Sequence, residues 1–312
     1  MQHSEKNQIK NPTKSLFFGE VGGVDVGGVD VGGATIIVTG ASGSIGAETV
    51  KSLLREDFSV IMACRNLQKG VSVRAKILKE FSGKENSVLL EELDLASFTS
   101  IYKFVENISR RHIRLTGLMN NAGTLNRTFT LTPEGFENTI GVNYVGVFLL
   151  TKLLIPMLED GSGITNVVSM TTNPKRIDKQ IFDFTPEKFR QLRSYSQSKT
   201  ALMLFTASLA ERYHGKFHVN AGDPGIVDTE ILRLSRRFDF LTDSLFRPLI
   251  KTPRKGAIPL VNAQLSKDTG KLFSGNRHKY IREKYAQHPL RKWLWEETEK
   301  KIAEIQIQSG KH

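Results

Sequence analysis

An α/β fold, a doubly wound parallel sheet with helices on both faces, is predicted by three features of the sequence. Short apolar runs rich in β-branched residues alternate with longer segments of helical spacing from about residue 34 to residue 220, the pattern of strand, crossover and parallel strand. A glycine-rich turn joins the first run directly to the first helical segment. No break in composition divides the 312 residues, so one large domain accounts for the length.

Residues 1 to about 15 are polar, and between Val21 and Gly33 the unit Gly-Gly-Val-Asp-Val occurs twice in succession before a further Gly-Gly. That period is too short for a solenoid unit and too rich in glycine for an independent fold. Residues 1–33 therefore read as a flexible lead-in to a domain spanning 34–312. Thr35-Ile36-Ile37-Val38 is the first strand, buried on both faces, and Ser44 to Arg55 the first helix. Phe58 to Ala63 and Leu67 to Phe81 repeat the pair. Further strands are expected at Val88-Leu89-Leu90, Leu115 to Met119, Ile164 to Val168 and Phe217-His218-Val219, with helices near 97–112, 133–157 and 193–214. Beyond Asp228 the pattern fades into a mixed apolar and basic stretch, assigned with its flanks to a substrate loop over 226–256. A last strand is expected at Leu272-Phe273. The tail over 280–312, with Trp293 and Trp295 among many charges, reads as an amphipathic helix that packs on the body, with peripheral membrane contact or a meeting with a partner as the other readings.

The formal net charge is +12 and the sequence pI about 9.7, which favours anions in general. The basic residues are spread as a solvated surface, with local clusters at Arg110 to Arg114 and Arg233 to Arg237, and no nucleic-acid partner is expected. Cys64 is the only cysteine, which excludes an intrachain disulfide and a cysteine-rich metal site; no metal is expected. Leu16-Phe17-Phe18 is too short for a signal-peptide core, and no apolar stretch nears the length of a membrane span. A soluble, cytoplasmic protein is the expectation.

The chemistry concentrates at Tyr195 and Lys199, which a helix over 193–214 places one turn apart on one face. A phenol with a pKa of about 10 exchanges protons poorly at neutral pH, and a nearby ammonium favours the phenolate. Tyr195 is thus a candidate general acid/base. The same spacing also arises in a packed helix with a solvated amine, so the company the pair keeps matters. Upstream, Thr39-Gly40-Ala41-Ser42-Gly43-Ser44-Ile45-Gly46 would let a backbone approach a pyrophosphate, with the helix N-terminus supplying free amides. At the end of the second strand, where an acidic side chain would hold the adenosine ribose of NAD(H), the chain has Cys64-Arg65-Asn66. An arginine there suits a 2′-phosphate, so NADP(H) is preferred over NAD(H).

Taken together, the glycine turn, Asp94-Leu95, Asn120-Asn121-Ala122-Gly123, Asn143, Ser169, Tyr195-xxx-Lys199 and Pro224-Gly225 resemble the short-chain dehydrogenase/reductase family over roughly Thr35 to Thr229. The resemblance implies a Rossmann-type fold and hydride transfer to or from a carbonyl or alcohol. It implies that Asp94, with Leu95 beside it, holds the adenine, and that Asn121-Ala122-Gly123 lines the cofactor. Ser169 would hydrogen-bond the substrate oxygen, Tyr195 would pass the proton, and Lys199 would bind the nicotinamide ribose while lowering the phenol pKa. Asn143 would hold a water linking Lys199 to solvent. Pro224, Gly225, Val227 and Thr229 would meet the nicotinamide end.

Within the family the chain is most similar to the retinol dehydrogenase-like reductases, on Ala63-Cys64-Arg65-Asn66, Leu93 to Phe98, the long gap between Ser169 and Tyr195, Tyr195 to Thr206 and Gly270 to Ser274. That implies an apolar substrate such as a retinoid or steroid, in a pocket formed by 124–131, 171–193 and 231–246. Phe182, Phe184, Phe238, Phe240 and Phe246 would line it. The family also implies a homodimer or homotetramer formed through the helices near 97–112 and 133–157. Two features depart from the pattern: Ser44 stands where the turn usually has glycine, and the glycine-repeat lead-in stands where many relatives of the retinoid type carry an anchor. The glycine spacing 40, 43, 46 keeps a nucleotide-sugar epimerase or dehydratase open as an alternative. A non-catalytic NADP(H)-binding sensor or scaffold is the other.

Overall fold

The computed structural model describes residues 33–227, 251–308 and 310. Eight strands, β1 (Thr35–Thr39), β2 (Ser59–Cys64), β3 (Val88–Glu92), β4 (Leu115–Asn120), β5 (Leu158–Val167), β6 (His218–Asp223), β7 (Lys271–Ser274) and β8 (Arg277–Tyr280), form one sheet in the order β3-β2-β1-β4-β5-β6-β7-β8. Every neighbouring pair is parallel except β7 and β8. Strand order reverses between β1 and β4, and a crevice at the C-terminal edge of such a sheet is where ligands bind.

Alternation along β1 shows how the layers are built. All five residues are buried; Ile36 and Val38 join one apolar cluster and Ile37 the other, as the two-residue period of a strand requires. The first cluster lies under α1 (Ser44–Arg55), α2 (Leu67–Glu80) and α6 (Pro253–Leu265). The second lies under α3 (Phe98–Ser109), α4 (Asn138–Met157), α5 (Gln191–Arg212), α7 (Glu283–Ala286) and α8 (Leu290–Gln308). Helices thus cover both faces, as the alternating pattern predicts.

Several expectations change. Helix α6 lies partly inside the segment read as a substrate loop over 226–256. At its start the Thr252 hydroxyl accepts from the Lys255 amide and Pro253 occupies the first turn, a combination that starts helices well. Its interior Pro259 is buried, which breaks the sequence signal without breaking the element. Strand β8 is exposed throughout, so it has no apolar alternation to read. The helical part of the tail begins at Glu283 rather than 280.

Among the described residues, one apolar run does reach membrane-spanning length: α4, although 72% of its most apolar window is buried inside the fold. Helix α8 packs against α3 and α4, the helices expected to serve self-association. Gln306 hydrogen-bonds Tyr102, Thr298 lies 2.8 Å from the Tyr144 hydroxyl, Lys152 pairs with Glu299 at 2.8 Å, and the Trp295 ring sits 5.0 Å from that of Phe148. Phe182, read as a pocket residue, instead packs against Phe136, Tyr144 and Trp293, and Phe184 also packs against this core. Burying a ring between α4 and α8 gains more than leaving it at a cavity wall. Phe238, Phe240, Phe246 and Thr229 lie outside the described residues.

Candidate active site

At the C-terminal end of β1, Gly40 takes a positive φ of 64°, open chiefly to glycine. A Cβ on Gly46 would stand 2.3 Å from the Gly40 carbonyl oxygen, whereas one on Gly43 would meet only a 3.3 Å contact there. The fold therefore demands glycine at 40 and 46. At 44 a side chain is tolerated, because Ser44 opens α1 and is exposed. Gly43 precedes α1 without a side-chain cap, and the first turn carries no acidic residue. That is the chemistry an anion needs: backbone amides and the positive end of a helix dipole, with no competing carboxylate. Ile45 is half-buried behind this turn.

The Asn121-Ala122-Gly123 turn packs directly on it. Asn121 donates to the Thr39 carbonyl at 2.9 Å, and the Ala122 amide donates to the Thr39 hydroxyl at 2.9 Å. A Cβ on Gly40 would lie 2.9 Å from Ala122 Cα. Asp94 is half-buried after β3; its Oδ1 accepts from the Ala96 amide at 2.9 Å, and Leu95 is buried under α4. Ser42 lies beside Cys64, whose thiol is pushed up by burial. Arg65 is exposed, while Asn66 has a structural task, capping α2 by accepting from the Lys69 amide at 2.8 Å.

Deeper in the crevice, Ser169 follows β5 and its hydroxyl accepts from Thr171 Oγ1 at 3.1 Å and from the Thr171 amide at 3.2 Å. Tyr195 and Lys199 lie on α5, one turn apart. Lys199 is buried, with Nζ donating to the Val167 carbonyl at 2.7 Å. A Cβ on Gly123 would stand 3.3 Å from that Nζ and 3.4 Å from Asn143 Oδ1, so Gly123, Lys199 and Asn143 converge on one point. Asn143 sits in a π turn, Gly141–Val145, within α4, a distortion frequent at functional sites. Its amide is largely committed: Oδ1 accepts from the Thr124 amide at 2.7 Å, and Nδ2 donates to the Thr124 carbonyl at 2.9 Å and to Ser198 Oγ at 3.0 Å.

The electrostatics differ from the simple expectation for the Tyr195 phenol. Burial pushes it up, its hydrogen bond with Ser169 pulls it down, and the Asp223 charge raises it further. Burial pushes the Lys199 ammonium down to about 8, against the attraction of Asp223. In the protein alone the hydroxyl of Ser169 favours the phenolate, against burial and the Asp223 charge.

A hydroxyl pair, a buried ammonium and an open helix N-terminus thus share one edge of the sheet, and the match to known proteins agrees. The family model for short chain dehydrogenases matches residues 34–239. The chain is a short-chain dehydrogenase/reductase. Among the relatives of this family member are retinol dehydrogenase 13 of Mus musculus, 34% identical over 85% of this chain and 82% of that protein, and retinol dehydrogenase 12 of Homo sapiens, 33% identical over 91% and 90%. Among solved structures, an oxidoreductase from E. coli is 25% identical with a TM-score of 0.62, over 80% of this chain and 97% of that one.

Two residues of this dehydrogenase/reductase site escape a reading of the sequence. One is Asp223, at the end of β6. The other is Glu137, buried, which accepts from the amides of Thr139 and Ile140 at 3.0 Å each and from the Ser194 hydroxyl. It thereby ties the start of α4 to the residue before Tyr195. Glu137→Ala would leave these buried donors unpaired and is expected to cost about 1–3 kcal/mol per group before relaxation. Urea unfolding should show a smaller loss for Glu137→Gln, whose oxygen still accepts. Equal midpoints for wild type and both variants would remove the clamp.

Proposed function

We propose that this chain is an NADP(H)-dependent oxidoreductase that moves a hydride between the nicotinamide and the carbonyl or alcohol carbon of an apolar substrate. The observation that carries the proposal is the convergence of Ser169, Tyr195, Lys199 and Asn143 at the edge where α1 presents an uncapped N-terminus. When bound, the cofactor supplies or accepts the hydride. The protein's part is to orient the substrate oxygen and handle its proton.

In the reductive direction negative charge grows on the substrate oxygen, and the Ser169 and Tyr195 hydroxyls would donate to it. Tyr195 then gives up its proton as general acid, and the oxidative direction reverses this step. Lys199 stabilises the resulting phenolate and would hold the nicotinamide ribose. Asn143 fixes the Thr124 loop and retains one acceptor position for a water. The amides that open α1 (Ser44, Ile45 and Gly46), with Ser42, would hold the pyrophosphate. Asp94 and Leu95 would hold the adenine, and Pro224, Gly225, Val227 and Thr229 the nicotinamide end.

An apolar substrate is supported by exposed apolar residues next to Ser169 and Tyr195 in the sequence: Met170 and Leu192 are 63% and 60% exposed. Water is a poor partner for that surface. The names of the relatives point the same way, to a retinoid-like alcohol or aldehyde. Oxidation of NADPH with a panel of retinoid, steroid and small aromatic carbonyls tests the assignment; turnover confined to small polar sugars would overturn it.

For the cofactor, Arg65 follows β2 where its exposed guanidinium can reach a 2′-phosphate. Arg65→Ala is expected to weaken NADPH binding roughly 10–100-fold, the value of a charge-assisted hydrogen bond, and to leave NADH binding nearly unchanged. Fluorescence titration of both cofactors decides it. An equal loss for both would mean that Arg65 contacts shared parts of the cofactor.

A further inference from the structure

We propose that the C-terminal segment completes the catalytic centre, with Tyr285 of α7 as a positioning residue that holds the turn carrying Ser169. That turn follows the end of β5. The Thr172 amide donates to the Ser169 carbonyl at 3.0 Å and closes residues 169–172 into a turn. Within it, the Thr171 amide and hydroxyl donate to the Ser169 hydroxyl at 3.2 and 3.1 Å. The direction of the Ser169 hydroxyl is therefore tied to the conformation of its own turn. Met170 and Thr171 are exposed and Thr172 is half-buried, so apolar packing does little to place the turn, and polar groups that grip it from outside must do so.

Two elements supply those groups. From α5, the Ser196 hydroxyl donates to the Thr171 carbonyl at 2.7 Å, and the Thr200 hydroxyl accepts from the Asn173 amide at 3.0 Å. These side chains belong to the helix that carries Tyr195 and Lys199. From the tail, the buried Tyr285 hydroxyl donates to the Thr172 carbonyl at 3.1 Å and lies 3.3 Å from Thr172 Oγ1. His288 adds a second hold two residues on. Its Nδ1 accepts from the Leu290 amide at 3.2 Å, which leaves the proton of the neutral ring on Nε2 to be donated to the Pro174 carbonyl at 3.2 Å.

The tail has its own anchorage, so Tyr285 can act as a fixed point. The Ile281 amide donates to the Gly270 carbonyl at 2.8 Å, and Ile281 and Tyr285 are buried in the apolar cluster that also takes in α5. Burial seats the ring; the hydroxyl adds the hold on Thr172. Misplacing a reacting group by about 1 Å costs roughly 10²-fold in rate, so a turn released at Thr172 is felt at the Ser169 hydroxyl. That consequence rests on the role proposed above for Ser169.

Tyr285→Phe tests it, since the buried ring stays and only the hydroxyl goes. Steady-state NADPH oxidation with the best carbonyl of the panel above is compared across wild type, Tyr285→Phe, Ser169→Ala and the double variant. Hydrogen exchange by NMR follows the Thr172 amide, whose bond to the Ser169 carbonyl closes the turn. In Tyr285→Phe, kcat is expected to fall about 10-fold, with NADPH binding unchanged and exchange at Thr172 faster. The double variant should be no slower than Ser169→Ala, because Tyr285 acts through Ser169. Unchanged kcat in Tyr285→Phe beside a slow Ser169→Ala overturns the positioning role, and so do two effects that simply multiply. A Ser169→Ala variant as fast as wild type overturns instead the role proposed for Ser169, and with it the effect on kcat. Exchange at Thr172 then stands on its own: unchanged in Tyr285→Phe, it overturns the hold on the turn; faster, it upholds it.

Discussion

Tyr195→Phe is expected to lower turnover of any carbonyl substrate by about 10²–10⁴-fold, the usual contribution of a positioned general acid. The substitution removes one oxygen and little else. The ring stays packed at the head of α5, and its lost partner, the Ser169 hydroxyl, is half-exposed and still bonded to Thr171. Stability should therefore change by about 1 kcal/mol or less, the net value of a hydrogen bond that water can replace. Cofactor affinity, read by fluorescence, should stay within a few-fold, because the glycine turn and Lys199 are untouched. That combination, binding kept and chemistry lost, separates a reductase from a sensor. If the variant turned over at the wild-type rate, the proton would come from elsewhere, and the non-catalytic reading of the Tyr195/Lys199 helix would regain its force.

The second large effect is on folding. Trp295→Ala is expected to destabilise the protein by about 3–5 kcal/mol, the cost of emptying a large aromatic site that closes only partly. Trp295 is buried on α8, with Phe148 at 5.0 Å and Phe205 at 5.5 Å between ring centroids, and the Arg212 guanidinium 4.2 Å above it. These partners belong to α4 and α5, the helices that carry Asn143 and Tyr195. The same residue therefore attaches the tail to both helices. Urea unfolding measures the loss of stability, and light scattering shows whether the uncovered apolar face drives self-association. A cost near that of a surface substitution, within about 0.5 kcal/mol, would show that α8 is dispensable.

Much of the site is legible without coordinates. Ser44 to Arg55 and the helix carrying Tyr195 and Lys199 announce themselves by period, and local period is a property of neighbouring residues. The glycine turn is legible for the same reason, although which glycines are obligatory is not: Gly40 is held by its own φ and by Ala122, and Gly46 by the Gly40 carbonyl. Phe182 is misplaced by a sequence reading because aromatic composition is equally suited to a pocket and a core, and only the arrival of α8 selects between them. Helix α6 is hidden because its buried proline and glycine suppress propensity, which tertiary burial against the sheet overrides.

The sequence by itself determined the order of strands and helices from β1 to β6, the family and the candidate proton-transfer pair, because each is written in short-range pattern or in a combination of motifs. Only the tertiary structure decided which polar groups meet. Tyr144 and Thr298 are far apart along the chain, as are Glu137 and Ser194. Their interaction depends on helix docking, and on a buried setting where a charge without a partner is costly.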